Sequence, residues 1–139
     1  MSQLNRFLQA QENIYSTALA ELQRGVKETH WMWFIFPQVD GLGISSTAKY
    51  YAIKNRAEAE EYLGHPILGS RLLECTSTLL TIRGRTAYQI FGSPDDLKLR
   101  SSMTLFSATS PADSLFHQVL SKYYSGQPDP RTIEILQSS

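Results

Sequence analysis

Nine residues, His30-Trp31-Met32-Trp33-Phe34-Ile35-Phe36-Pro37-Gln38, constrain the fold of this chain more than any others. Six large apolar side chains run without a break, and both tryptophans of the chain are among them. Fully burying one such side chain stabilises a fold by roughly 1.5–3 kcal/mol, so the core has to be built around this run. Its period is unreadable because every residue is apolar. A short buried helix and a buried strand both fit, and Pro37 ends the run. His30 and Gln38 place polar groups at its two ends, held beside the core, an arrangement that suits a binding pocket.

The rest of the chain reads as helices. From Leu4 to Arg24, apolar residues at Leu4, Phe7, Leu8, Tyr15, Ala18, Leu19 and Leu22 mark one face of a single long helix, with Glu12, Glu21 and Arg24 off that face and Gly25 as its stop. Gly41-Leu42-Gly43 is a loop, and Ser45-Ser46-Thr47 is an N-cap cluster. Asn55 and Glu58 resemble a capping box for a short polar helix ending near Leu63. His65-Pro66 opens a second long helix with Ile67, Leu68, Leu72, Cys75, Leu79 and Ile82 on its apolar face, stopped by Gly84. Thr86 to Phe91 makes a single helical turn closed by Gly92. Ser93-Pro94-Asp95-Asp96 and Ser110-Pro111-Ala112-Asp113 are helix-start signals with serine as cap and proline at the first helical position. Asp129-Pro130 begins a last short helix. No convincing alternating strand and no Asn-Gly or Asp-Gly hairpin turn appears. The expected fold is all-α, one multihelical domain of about seven helices over residues 1–139.

Bulk numbers bound the function. The 139 residues suffice for one domain with a real core. Lys+Arg and Asp+Glu both number 13, so no basic excess supports general nucleic-acid binding. The apolar run is far shorter than the ~20 residues of a membrane helix, and Ser2 to Ala10 is polar and amphipathic rather than a secretory signal. The single cysteine, Cys75, allows no intrachain disulfide and fits a reducing compartment. A cytoplasmic protein without membrane association is expected.

Familiar catalytic signatures are missing: no G-x-S-x-G elbow, no P-loop and no zinc-type spacing among His30, His65 and His117. Neither a metal nor a cofactor is expected. Cys75 reads as a core thiol. His30 is the best acid–base candidate; its other reading is a structural histidine bonded to a carbonyl. Trp31 and Trp33, two apart, cannot face the same way; one belongs to the core, and the other is either core too or free to stack on a base or ring. The glycines before the Ser45 helix start could leave N–H groups for an anion, though ordinary capping explains them as well. Within Lys98-Leu99-Arg100-Ser101-Ser102-Met103-Thr104-Leu105-Phe106, hydroxyl residues occupy a helix interior against their propensity. Either they bond across the core, or Lys98, Arg100 and the hydroxyls hold a phosphate or carboxylate. Lys98 follows Asp95 by three and can pair with it. Arg71 and Glu74 read as an exposed pair.

The motifs then resemble a known family. His30 to Gln38, Gly41-Leu42-Gly43, His65-Pro66, Leu68-Gly69, Arg71-Leu72 and Glu74-Cys75 occur in its order. So do Ile90-Phe91-Gly92, Asp95, Lys98-Leu99 and Ser101 to Phe106. Together with Arg6-Phe7 and Ala10-Gln11 they are similar to a largely bacterial domain of unknown function, number 1810 of that series. The resemblance implies a mainly helical domain whose activity is not established. Some members carry the label calpastatin, yet calpain inhibitors of that kind are disordered, whereas this chain is capped and apolar. By fold-level analogy the resemblance extends to small helical domains that handle ADP-ribose and other NAD-derived nucleotides. It implies a phosphorylated, nucleotide-like ligand, with hydrolysis of an N-glycosidic bond as a further expectation. In that reading His30, Asp95 or Glu74 supplies acid–base chemistry. Trp33 stacks, and Gln38, Lys98, Arg100, Ser101 and Ser102 line the ligand site. The alternative is a non-catalytic interaction or structural domain, including a homodimeric one.

Overall fold

The structure, a computed structural model, describes residues 3–138. Among them it forms ten helices: α1 (Asn5–Gln11), α2 (Tyr15–Arg24), α3 (Met32–Ile35), α4 (Ser46–Tyr50), α5 (Arg56–Gly64), α6 (Leu68–Thr81), α7 (Ala87–Phe91), α8 (Asp95–Ser107), α9 (Leu115–Tyr124) and α10 (Pro130–Ser138). The fold is all-α. Among the described residues the extended backbone pairing is one isolated parallel bridge, Val39 with Ile53.

The aromatic run is a single helical turn at the centre. Trp31, Met32, Ile35 and Phe36 are buried. Trp31, Phe36 and Phe91 form a triangle of rings with centroids 6.2–6.3 Å apart. A second aromatic chain runs Phe7, Tyr62, Phe106, Phe116 at 5.0, 5.5 and 5.6 Å. Such tilted and edge-on pairs add to the burial energy of each ring.

Helix α8 is the hub and packs against α3, α5, α7, α9 and α10. Every residue from Ser101 to Ser107 is buried. The hydroxyls that stood against helix propensity are mostly satisfied by the helix's own carbonyls. Ser101 Oγ donates to Leu97 O at 3.2 Å, Thr104 Oγ1 to Arg100 O at 2.8 Å and Ser107 Oγ to Thr104 O at 2.9 Å. Back-bonding of this kind hides a hydroxyl inside a helix bundle.

The first expected helix is two. The chain turns at Glu12–Ile14, where Ile14 N–H bonds Gln11 O. The turn lets Gln11 enter the core completely. Its amide donates to Phe34 O at 2.7 Å and Tyr62 Oη at 3.1 Å, and its carbonyl accepts from Arg71 at 3.2 Å. A buried amide with partners on three other elements outweighs the continuity of an amphipathic stripe. Two helix starts also lie elsewhere than the serine-proline signals put them. Pro94, not Ser93, is the residue preceding α8, whose first turn carries Asp95 and Asp96. Ser110 donates backward to Phe106 O at 2.8 Å, so it closes α8, and Ser114 caps α9 by accepting from His117 N–H. Asn55 caps α5, but Glu58 returns to Lys54 N–H rather than to Asn55 N–H, so the capping box is half made. A full one forms at Thr86 and Gln89.

Helices α5 and α6 touch where Gly69 sits. A Cβ there would lie 2.0 Å from Leu63 O, a backbone atom that cannot step aside. Gly69→Ala is therefore expected to cost about 1–3 kcal/mol or more, read as a lower denaturant midpoint with an unchanged slope. At the other end of α6, Lys122 from α9 donates to the carbonyls of Leu79 at 3.2 Å, Leu80 at 3.0 Å and Ile82. An ammonium at a helix C-terminus satisfies orphan carbonyls and meets the negative end of the dipole.

Candidate functional site

The site is assembled from the two sides of the aromatic run. On the inner side lies Glu21, 2% exposed. Its Oε1 accepts from Glu28 N–H at 2.8 Å, Thr29 N–H at 3.1 Å and the Trp31 indole N–H at 2.8 Å, and its Oε2 accepts from Thr29 Oγ1 at 2.8 Å. Burial pushes this carboxyl upward, but the hydrogen bonds from Glu28, Thr29 and Trp31 together outweigh it and bring the pKa down to about 2. The loop from Gly25 to Thr29 is thus wrapped around one carboxylate, which also fixes the plane of Trp31.

The wrap places Lys27. Its side chain is 7% exposed, its ammonium lies 5.2 Å from the Trp31 ring centroid, and it pairs with Asp95 Oδ2 at 2.9 Å. Asp95, in the first turn of α8, faces Lys98 through its other oxygen at 3.6 Å. Lys98 in turn stands over the Trp33 ring, 5.1 Å from its centroid. The order Trp31, Lys27, Asp95, Lys98, Trp33 alternates ring, cation, anion, cation and ring. Its two cations and one anion leave one positive charge, and Lys98 and Trp33 form the more open end.

Trp33 also borders a crevice of about 10 Å³, room for about one water, together with Gln38, Gly41, Gly43, Ala48 and Tyr51. The bridge at Val39 and Ile53 anchors this wall: Ile53 N–H donates to Gln38 O at 2.8 Å and Asp40 N–H to Ile53 O at 2.7 Å. Gly41, at φ +107°, packs on Ile135 of α10, and Gly43 lies against Ala48. Ser45 Oγ accepts from Ala48 N–H, so the hydroxyl at this helix start serves as a cap.

Of the residues read from the sequence, Trp33 and Gln38 share the crevice, while Lys98, paired with Asp95, stands over the Trp33 ring without lining the crevice. His30 is exposed and outside the crevice lining. Glu74 lies on α6, where it accepts from the Tyr15 hydroxyl of α2. Arg71 does not pair with it on the surface; its guanidinium stacks 4.8 Å from the Tyr15 ring centroid and reaches Gln11. Burial pushes the neighbouring Cys75 thiol up to about 12, which makes it inert at neutral pH. Arg100 donates to Gln127 O at 2.9 Å and Pro128 O at 3.0 Å, clamping the turn between α9 and α10. Ser101 bonds its own helix. Ser102 is fully buried with no partner for its hydroxyl among the described residues. Ser102→Ala is expected to hold or raise the melting temperature, since an unpaired buried hydroxyl costs about 1–3 kcal/mol; a marked loss of stability or of ligand binding would give the hydroxyl a role. Sequence reading missed Lys27 and Glu21. Among the described residues no group of three or more metal-ligating side chains converges, and no helix is long and apolar enough to cross a membrane.

A family model for a protein of unknown function, DUF1810, matches residues 1–136. The crystal structure of the conserved hypothetical protein Rv1873 from Mycobacterium tuberculosis is 48% identical to this chain. It superposes with a TM-score of 0.96 over 98% of this chain and 97% of that one. No curated protein matches.

Proposed function

The chain belongs to the DUF1810 family, and from the geometry around Trp33 we propose that it binds a small anionic ligand of the nucleotide class, such as ADP-ribose or another NAD-derived nucleotide. The observation that carries this reading is the Lys98 ammonium resting on the half-buried Trp33 ring, beside the Gln38 crevice. A cation over an exposed aromatic face is held by only about 0.5–1 kcal/mol. Lys98 is therefore free to exchange the ring for a phosphate, with which it makes a stronger charge-assisted bond. The vacated ring face is then open to a base. The crevice is too small to admit a nucleotide, so the ligand lies along the outer side of Trp33, with Gln38 and the Gly41–Gly43 loop at its edge.

Binding is proposed without hydrolysis. Asp95 is engaged by two lysines and serves to orient them. Glu74, on α6, is engaged by the Tyr15 hydroxyl, and His30 is exposed with no hydrogen-bond partner among the described residues to position it as an acid. A second reading, an interaction module, is favoured by Ile44 and Tyr50 at 90% and 57% exposure beside the same loop. A thermal-shift screen with ADP-ribose, NAD, AMP and ribose 5-phosphate, run beside a sedimentation measurement of oligomeric state, separates the two. At a hundred times Kd a bound nucleotide adds roughly 2.7 kcal/mol of stability. No shift with any of the four, together with a stable dimer, would replace the first reading by the second.

A further inference from the structure

A different part of the molecule holds a half-open cavity of about 280 Å³ between α8, α9 and α10, bordered by Thr104, Ser107, Ala108, His117, Leu120 and Ile133 and by the turn at Gly126 and Pro128. Its volume is just below the range of drug-sized ligand sites, which suits a smaller molecule, and such sites are mostly apolar with a few placed polar groups. Ala108, Leu120, Pro128 and Ile133 supply the apolar wall. The donors on that wall are nearly all committed. The Thr104 hydroxyl donates to Arg100 O and the Ser107 hydroxyl to Thr104 O. The N–H groups of Ala108, Gly126 and Ile133 bond Thr104 O, Leu120 O and Asp129 O, and Pro128 has none.

His117 is the exception. Its Nδ1 lies 2.7 Å from Ser114 Oγ, and its Nε2 has no partner among the described residues. In the tautomer where the Ser114 hydroxyl donates to Nδ1, Nε2 carries the ring proton and is a donor. The His117 ring borders both this cavity and the neighbouring groove at Leu80 and Gln118, and Nε2 is the ring nitrogen that the Ser114 contact leaves uncommitted. We infer that this cavity is a binding site for a small monocarboxylate with an apolar body, whose carboxylate accepts from His117 Nε2 while its body packs against Ala108, Leu120 and Ile133.

Octanoate is the probe, titrated into the whole protein and followed by calorimetry and by amide chemical shifts. Saturable one-to-one binding with a Kd of about 1 mM or tighter is expected, with shifts confined to α8–α10. Octanol, with the same body and no carboxylate, should bind about tenfold more weakly, and so should octanoate to His117→Gln, because each comparison removes a charge-assisted hydrogen bond. Ile133→Trp fills the cavity and should abolish binding; Ala108→Leu serves the same end should the larger side chain prevent folding. Lys98→Met should leave octanoate binding unchanged, which keeps this site separate from the one at Trp33. Absence of saturable binding, equal affinity for octanol and octanoate, or binding that survives both the filling variant and His117→Gln would each overturn the assignment.

Discussion

Trp31→Ala is expected to lower the unfolding free energy by about 3–5 kcal/mol, the largest loss from any single truncation in the central run. Three features set the size. The indole is fully buried, it anchors the ring triangle with Phe36 and Phe91, and its N–H is held by Glu21. Removing it opens a cavity in the core and strips the nearly buried Lys27 of its ring. Equilibrium urea unfolding measures the change. Trp33→Ala, at a half-buried ring, should cost clearly less, and equal losses in the two variants would mean that Trp33 is a core residue and no ligand platform.

Glu21→Ala should cost a comparable amount, about 3–5 kcal/mol. Two backbone N–H groups and an indole N–H lose their acceptor inside the fold, and each orphaned donor carries about 1–3 kcal/mol with partial relaxation. The same carboxylate makes stability depend on acid. Its folded pKa, about 2, lies below its ordinary value of 4.5. The folded state thus favours the ionised form. The stabilisation is fully present above pH 4.5 and is lost as pH falls toward 2. Glu21→Gln keeps an acceptor for the indole and cannot titrate, so the part of the acid limb that belongs to Glu21 should vanish from its stability profile between pH 4.5 and 2. An acid limb unchanged in Glu21→Gln would assign that limb to other carboxylates.

What was legible in the sequence was what local chemistry controls. The caps at Ser45 and Asn55, the stop at Gly25 and the single turn closed by Gly92 depend on a few neighbouring residues, and they stand where the spacing put them. The aromatic run announced the core by its area alone. The failures come from contacts distant in sequence. Spacing puts Glu21 off the apolar face of an amphipathic helix and gives Gln11 no place in the core, yet both are buried because their partners arrive from the loop at 28–31, or from Phe34, Tyr62 and Arg71. Ser110 carried a helix-start signature but bonded the preceding helix instead. The same division runs through the site. Asp95 and Lys98, three apart on one helix, could be paired by spacing. Lys27 could not be added to them, since a fold has to bring α8 against the loop before α3. Arg100 and Glu74 had suitable chemistry for a site, and the fold spends them on a turn and on Tyr15.

The claim that Trp33 and Lys98 form a ligand platform is tested most directly by titrating ADP-ribose into the wild type and Lys98→Met while following tryptophan fluorescence and heat. Only Trp33 of the two tryptophans has a face outside the core, so a ligand stacking on it changes the emission while the Trp31 signal stays constant. Lys98→Met keeps the aliphatic stem and leaves Asp95 paired with Lys27 at 2.9 Å, so folding should hold within about 1 kcal/mol. The predicted result is saturable binding in the wild type and affinity weaker by about tenfold or more in the variant, the loss of one charge-assisted bond to phosphate. Equal affinities in the two proteins, or no binding to the wild type, would contradict it.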